Sequence, residues 1–351
     1  MGIPEKYPSY DIPVDDIFSL IRDRGYRHVL LQIPEGLKRG SAELAEIIEK
    51  GTGASVWIDG EPCYGACDHA GERAAVLDTD AVMHLGHSGI PSMDMSHSVP
   101  VHFFPIKMRE DPEKMLRGLE DLLDGLNLPT IGLATTVQHG HLLGPASDLI
   151  ENRGIKVLIG QPGIREEAAG QVLGCSFHTA REVAAEAEGY IFIGTGRFHA
   201  LGLYLSVRKP VWMVDPSDGT VSAIDPVEMD RFLKRRFAAI TRGREIIKER
   251  GRVGIVIGYK PGQRRIELSS ELRNILKDQD VDSTMIAMEH MDPMKIRSLG
   301  FGLICSTACP RIAVDDSDRY LAEGITLLTP GELRIALGID DWEDYELDEQ
   351  W

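Results

Sequence analysis

The sequence predicts an α/β protein of three similar domains with parallel sheets flanked by helices. Three observations carry this reading. An order of strand, helix, strand, helix, strand, strand recurs three times, at about a hundred residues per pass. That period is the size of a small domain and too long for a solenoid. The predicted strands are continuous apolar runs, as in His-Val-Leu-Leu-Gln-Ile at 28–33, which suit a sheet covered on both faces. Lastly, the ends of these runs carry glycines, imidazoles, amides and a thiol in place of ordinary turn residues.

The elements follow in order. A short amphipathic helix at 14–24 leads into strand 28–33, which ends at the turn Pro34-Glu35-Gly36. Helix 41–50 follows, with Ser41 as its expected N-cap and Leu44, Ile47 and Ile48 on the buried side. Strand 54–58, a helix near 70–77, strand 81–85 and strand 99–105 complete the first pass. The second pass has strand 130–135, helix 145–153, and strands 156–159, 190–193 and 210–214. The third has strand 253–257, helix 269–277, and strands 283–287, 302–305 and 325–328. Linkers are expected near 106–128 and 217–251, and a basic helix at 227–250 occupies the second. Domain spans of 1–107, 108–220 and 221–351 result.

Composition narrows the function. At 43% hydrophobic and 26% charged residues the 351-residue chain is globular. No run approaches the ~20 apolar residues that cross a bilayer, and the first residues lack the regions of a signal peptide. A cytoplasmic location without membrane contact is expected, where five cysteines favour metal or thiol chemistry over disulfides. The net charge of −17 argues against nucleic acid as a direct partner. Residues 339–351 carry seven acidic side chains and no base, which reads as a solvated tail. Residues 231–250 hold eight Lys or Arg against two Glu, a basic face expected to be solvated or internally paired.

In open parallel sheets the carboxyl ends of the strands form the ligand crevice. Here those ends hold Gly86-His87-Ser88, Gln138-His139, Gly194-Thr195-Gly196 with His199 beyond, Gln263 and Cys309. The five cysteines admit several readings. Cys63 with Cys67, and Cys305 with Cys309, have spacings that structural zinc accepts, but a zinc site built on them leaves Cys175 idle. Any single thiol is also a plausible core side chain. The C-x3-C-x2-C fingerprint of radical-SAM enzymes starts at Cys63 but fails, because residue 70 is Ala. A dispersed reading takes one thiol per pass: Cys67, Cys175 and Cys309, separated by 108 and 134 residues. Such separations cost little, since closure entropy grows by only about 0.6 kcal/mol per doubling of loop length. Three thiolates would leave one iron of a 4Fe–4S cluster open to substrate, at the centre of a pseudo-threefold arrangement.

The chain resembles the archaeal diphthamide synthases of the first step, a noncanonical radical-SAM family. The resemblance rests on Tyr64-Gly65-Ala66-Cys67-Asp68, His84-Leu85-Gly86-His87-Ser88, Thr135-Thr136-Val137-Gln138-His139 and Gln171-Val172-Leu173-Gly174-Cys175. It continues through Phe192-Ile193-Gly194-Thr195-Gly196 and Ala308-Cys309-Pro310-Arg311, followed by Asp315-Asp316. It implies a homodimer in which Cys67, Cys175 and Cys309 hold a 4Fe–4S cluster, leaving Cys63 and Cys305 as extras. The implied activity transfers the 3-amino-3-carboxypropyl group of S-adenosylmethionine to an imidazole carbon of a histidine in translation elongation factor 2. Methylthioadenosine is released, and an external electron donor is needed. Beside the motifs, Arg311 and Gln263 are candidates for the methionine end of S-adenosylmethionine. Gly86, Ser88, Gly194 and Gly196 are candidates for its adenosyl portion. His87, His139 and His199 are candidates for orienting the target imidazole. Two other functions share parts of the pattern: a quinolinate synthase-like iron–sulfur lyase, whose motif contexts fit poorly, and a non-catalytic electron-transfer subunit.

Overall fold

The computed structural model describes residues 7–96, 99–109, 111–249 and 251–349. Three main sheets are present, and their parallel strands share one order. In the first sheet Ser55–Ile58, His28–Gln32, Ala81–Leu85 and Val101–Phe104 lie side by side, all parallel. In the second, Lys156–Leu158, Thr130–Thr135, Gly189–Ile193 and Val211–Val214 do the same. In the third the order is Ser283–Met288, Val253–Gly258, Leu303–Ser306 and Thr326–Leu328. Each sheet therefore runs second, first, third, fourth. The chain leaves the first strand toward one edge and later returns to build the other. That places a topological switch point between the first and third strands.

The sheets are not wholly parallel. Val221–Ala223 adds to the second sheet antiparallel to Val211–Val214. The cause lies in Asp215-Pro216-Ser217-Asp218-Gly219, where Gly219 takes φ +80° and its N–H donates to Asp215 O at 2.9 Å. A tight turn returns the chain at once, whereas a parallel return needs a crossover. Tyr10–Asp11 also pairs antiparallel with Lys107–Met108.

Each sheet has its own apolar packing. Ile17 and Ile21 of helix Val14–Arg24, with Leu44 and Ile48 of helix Ser41–Thr52, cover Val29, Leu31 and Met83. Met115 and Leu119 of helix Pro112–Asp124, within the stretch expected as a linker, pack with Ile131, Leu133 and Ile191. Val256, Ile286, Ile304 and Tyr320 pack together on the third sheet. Several helices start at Asp-Pro: Asp111, Asp225 and Asp292 each accept a hydrogen bond from the backbone N–H two residues on. Proline's missing N–H costs nothing in that first turn. Ser41 is not a cap. A 3₁₀ segment, Glu35–Gly40, runs directly into the helix, so Ser41 is already helical and Gly40 precedes it.

The chain divides into two compact units. One comprises Met1–Leu173, His178–Ala200 and Lys209–Ala223, and holds the first two sheets. The other comprises Gly174–Phe177, Leu201–Arg208 and Ile224–Trp351, and holds the third. Among the described residues no helix is long and apolar enough to cross a membrane.

The second unit corrects one expectation about charge. The acidic tail is docked, not solvated: Tyr345, Leu347 and Glu349 are buried at alternate positions. Glu349 accepts from Phe177 N at 2.9 Å and Ser206 Oγ at 3.0 Å, and Arg265 grips Asp348 with two hydrogen bonds. In the basic helix, Pro226–Lys248, Arg236 is 1% exposed. It donates to Glu332 Oε1 at 2.7 Å, Ala313 O at 2.6 Å and Leu327 O at 3.0 Å. Glu332 also closes the capping box of helix Pro330–Ala336 with Thr329.

Two predictions follow from these contacts. Glu332→Ala strands a buried guanidinium and is expected to cost about 3–5 kcal/mol in urea unfolding. A loss below about 1 kcal/mol would mean that the pair is solvated. Deleting residues 345–351 uncovers the apolar seat of Tyr345 and Leu347 and is expected to lower the melting temperature. A solvated tail would leave it unchanged.

Candidate metal centre and strand-end site

At the switch point of the first sheet, an amide organises the surroundings of Cys67. Gln32 is fully buried at the end of an apolar strand. Its Nε2 donates to Asp68 O at 2.8 Å, and its Oε1 accepts from Ala70 N at 2.9 Å. These two bonds fasten the single 3₁₀ turn Ala66–Asp68, and with it Cys67, to the strand. Gln32 Oε1 also lies 2.7 Å from His84 Nδ1, and His84 Nε2 lies 2.9 Å from His87 Nδ1. The amide oxygen can only accept, so His84 carries its proton on Nδ1 and presents a lone pair at Nε2. His87 Nδ1–H then donates to that lone pair. Burial holds His84 well below its usual pKa and lowers His87 to about 4, so both rings are neutral at physiological pH.

Second-sheet loops in the same unit hold the Gly86-His87-Ser88 turn. Gln138 Nε2 donates to Gly86 O at 3.0 Å, and Gln171 Nε2 donates to Ser88 Oγ at 2.7 Å. The orientation of Gln171 is set at its other end, where Oε1 accepts from Glu167 N at 3.0 Å and Ala168 N at 3.2 Å. Gly86 is required as glycine. Its φ is +90°, and an added Cβ would sit 2.7 Å from Pro34 Cγ. The loop ahead of Cys175 is laid along the second sheet, with Val172 N bonded to Thr135 O at 2.8 Å. Thr135 Oγ1 in turn donates to Ile193 O at 2.7 Å, joining the first and third strand ends. His139 is buried, and a Cβ on Gly194 would come within 3.6 Å of its ring. Gly196 takes φ +81°, and His199 stacks on Phe192 with ring centroids 6.0 Å apart.

In the other unit, Gln263 is buried in a 3₁₀ turn, Pro261–Gln263, just beyond strand Val253–Gly258. A Cβ on Gly258 would lie 2.9 Å from Ala308 Cβ and 3.4 Å from Gln263 Oε1, so the glycine brings these two segments together. Thr307 N donates to Val256 O at 2.9 Å, which sets the chain direction into Cys309. Cys309 is the N-cap of helix Pro310–Asp315, and Arg311 pairs with Asp315 at 2.9 Å on the exposed side.

The five cysteines fall into two classes. Cys63 and Cys305 are buried. Burial, with Asp68 next, pushes the Cys63 thiol up to about 12, and burial raises Cys305 as well. Cys67, Cys175 and Cys309 are half-buried in turns or at a helix start. Three accessible thiols are a donor set that fits a 4Fe–4S cluster with one open iron. Within its own unit, each predicted strand-end residue lies at or beside a switch point, except Arg311 on its exposed helix. Gln32 and Gln171 escaped sequence reasoning as organising residues. A lone amide ending an apolar strand was the available signal for Gln32.

The family model for diphthamide synthesis proteins matches residues 33–346 of this chain. The 2-(3-amino-3-carboxypropyl)histidine synthase of Pyrococcus horikoshii is 35% identical over 97% of this chain and 94% of its own. The enzyme of that name from Methanocaldococcus jannaschii is 26% identical over 88% and 84%. Human 2-(3-amino-3-carboxypropyl)histidine synthase subunit 1 is 25% identical over 97% and 75%. Among solved structures, Dph2 from Pyrococcus horikoshii superposes with a TM-score of 0.86 at 34% identity, covering 97% of this chain and 94% of that one. The same protein with a 4Fe–4S cluster gives 0.85 at 33%, with the same coverage. On the match across nearly its whole length, the chain belongs to the diphthamide synthesis protein family.

Proposed function

We propose that this chain is a 2-(3-amino-3-carboxypropyl)histidine synthase catalysing the first step of diphthamide synthesis. The observation that carries the reading is the set of three half-buried thiols in the family's motifs, in a fold shared with a relative solved with a 4Fe–4S cluster. Cys67, Cys175 and Cys309 would hold the cluster, and Cys63 and Cys305 would not. The three spans 1–107, 108–220 and 221–351 would each contribute one of these ligands. When bound, the cluster supplies a single electron to a sulfonium, enough to split one carbon–sulfur bond. The co-substrate is S-adenosylmethionine, and the acceptor is a histidine imidazole carbon of translation elongation factor 2.

The chain's own residues bind and orient. Gly86 and Gly196, at positive φ, and Gly194 keep the backbone bare at the strand ends, where the adenosyl portion can approach the main chain. The Ser88 hydroxyl is already engaged by Gln171, so Ser88 contributes through its backbone. Gln263 offers an amide to the methionine end. Arg311 offers a fork to the carboxylate once it exchanges Asp315 for it. Neutral His87 and buried His139 are suited to hydrogen-bonding a second imidazole, while His199 supports Phe192. Alignment alone selects which of the three carbon–sulfur bonds breaks. We place the enzyme in the cytoplasm as a homodimer served by an external electron donor.

Anaerobically purified protein is expected to show brown cluster absorbance that collapses in Cys67→Ala, Cys175→Ala and Cys309→Ala. The absorbance should persist in Cys63→Ala and Cys305→Ala. A full cluster retained in Cys175→Ala would refute the ligand set. With S-adenosylmethionine, dithionite and elongation factor 2, chromatography should detect methylthioadenosine and mass spectrometry a modified histidine. Formation of 5′-deoxyadenosine instead would refute the assignment of the bond that breaks.

A further inference from the structure

Cys63 has no part in the reading above, yet its surroundings are built. Its sulfur, one ring nitrogen of His84 and one of His87 all lie within 4.8 Å of one another. We propose that Cys63, His84 and His87 form a zinc site, separate from the iron–sulfur cluster, that pins the Cys67 turn to the end of the first sheet.

The nitrogen pair is close to what zinc demands, and the sulfur lies within 4.8 Å of both. With Zn–N distances of about 2.0–2.1 Å and Zn–S of about 2.3 Å, a tetrahedral site has N···N edges of about 3.3 Å and N···S edges of about 3.6 Å. His84 Nε2 and His87 Nδ1 are 2.9 Å apart, so on binding the rings part by a few tenths of an ångström and turn from each other toward the metal. Borderline-soft ligands, one thiolate and two imidazoles, select zinc over magnesium or calcium.

The surroundings support ligation too. A metal-binding histidine ordinarily donates its other ring N–H to a fixed acceptor. His84 does so to Gln32 Oε1, which the Ala70 N–H fixes as an acceptor. The lone pair at His84 Nε2 is therefore aimed by a hydrogen-bonded amide and not by packing alone. On binding, the Cys63 thiol proton leaves to solvent, and the His87 proton moves from Nδ1 to Nε2. Asp59 and Asp68 lie close enough to act electrostatically on Cys63, and they balance the net positive charge of a zinc monothiolate. Three protein ligands leave a fourth position for water.

The consequence is mechanical. Cys63 lies four residues before Cys67, and His87 belongs to the turn gripped by Gln138 and Gln171. A metal joining them ties the Cys67 loop to the strand end through covalent-strength bonds, where otherwise only hydrogen bonds do so.

The test uses cluster-loaded protein exposed to zinc chloride and then desalted, with metal analysis and zinc-edge X-ray absorption. One zinc per chain is expected in addition to iron, with one sulfur at about 2.3 Å and nitrogens at about 2.0 Å. Cys63→Ser and His84→Gln are each expected to lose the zinc and keep the iron and its visible absorbance. Zinc in wild type no higher than in Cys63→Ser, an edge without sulfur, or an all-sulfur edge would each overturn the site. Iron content and methylthioadenosine formation are read separately, so failure here is distinct from failure of the proposed function.

Discussion

The constraint on which the structure depends is the strand order shared by the three sheets. Because the second strand lies on one side of the first and the third on the other, the connections at the carboxyl ends diverge and leave a crevice. Backbone bonds such as Val172 N to Thr135 O and Thr307 N to Val256 O satisfy part of the main chain that lines it. Polar side chains complete the rest, and each sheet has one at this point: Gln32 in the first, Thr135 in the second and Thr307 in the third. Each bonds main-chain groups of a neighbouring segment and so ties the strand end of its own sheet.

Those ties bear on the chemistry. Low-dielectric surroundings make an unpaired polar group costly, so a fully satisfied network has one arrangement. Around Cys67 the network runs from the Asp68 carbonyl through Gln32 to His84 and His87. It fixes the tautomer of each ring as well as the position of the turn. On the proposed function, a centre that presents one bond of a bound sulfonium, and not its neighbours, benefits from ligands held in place by such bonds. The same reasoning makes the Cys63–His84–His87 cluster a candidate for metal, since its ligand atoms are already gathered.

The second unit uses buried charge in another way. Arg236 and Glu332 neutralise each other inside the unit, and the remaining guanidinium donors reach the Ala313 and Leu327 carbonyls. The docked tail alternates buried Tyr345, Leu347 and Glu349 with more exposed carboxylates. An acidic segment can therefore be half core. Its charge total says little about its burial, because each inward carboxylate meets a donor.

By itself, the sequence determined the parallel strands of the three main sheets and the three cysteine motifs, but not the antiparallel additions at Val221–Ala223 and Tyr10–Asp11. Apolar runs with helices between them have few other ways to bury both faces, and the motif residues are contiguous in the chain. Tertiary structure decided what depends on partners distant in sequence. Gln32 meets Asp68 and His84 across 36 and 52 residues, Arg236 meets Glu332 across 96, and Phe177 meets Glu349 across 172. Ser41 does not cap because the preceding 3₁₀ turn continues into the helix, which local propensity does not reveal. Hydrophobic periodicity reports which face is covered. Only the fold determines which donor finds which acceptor.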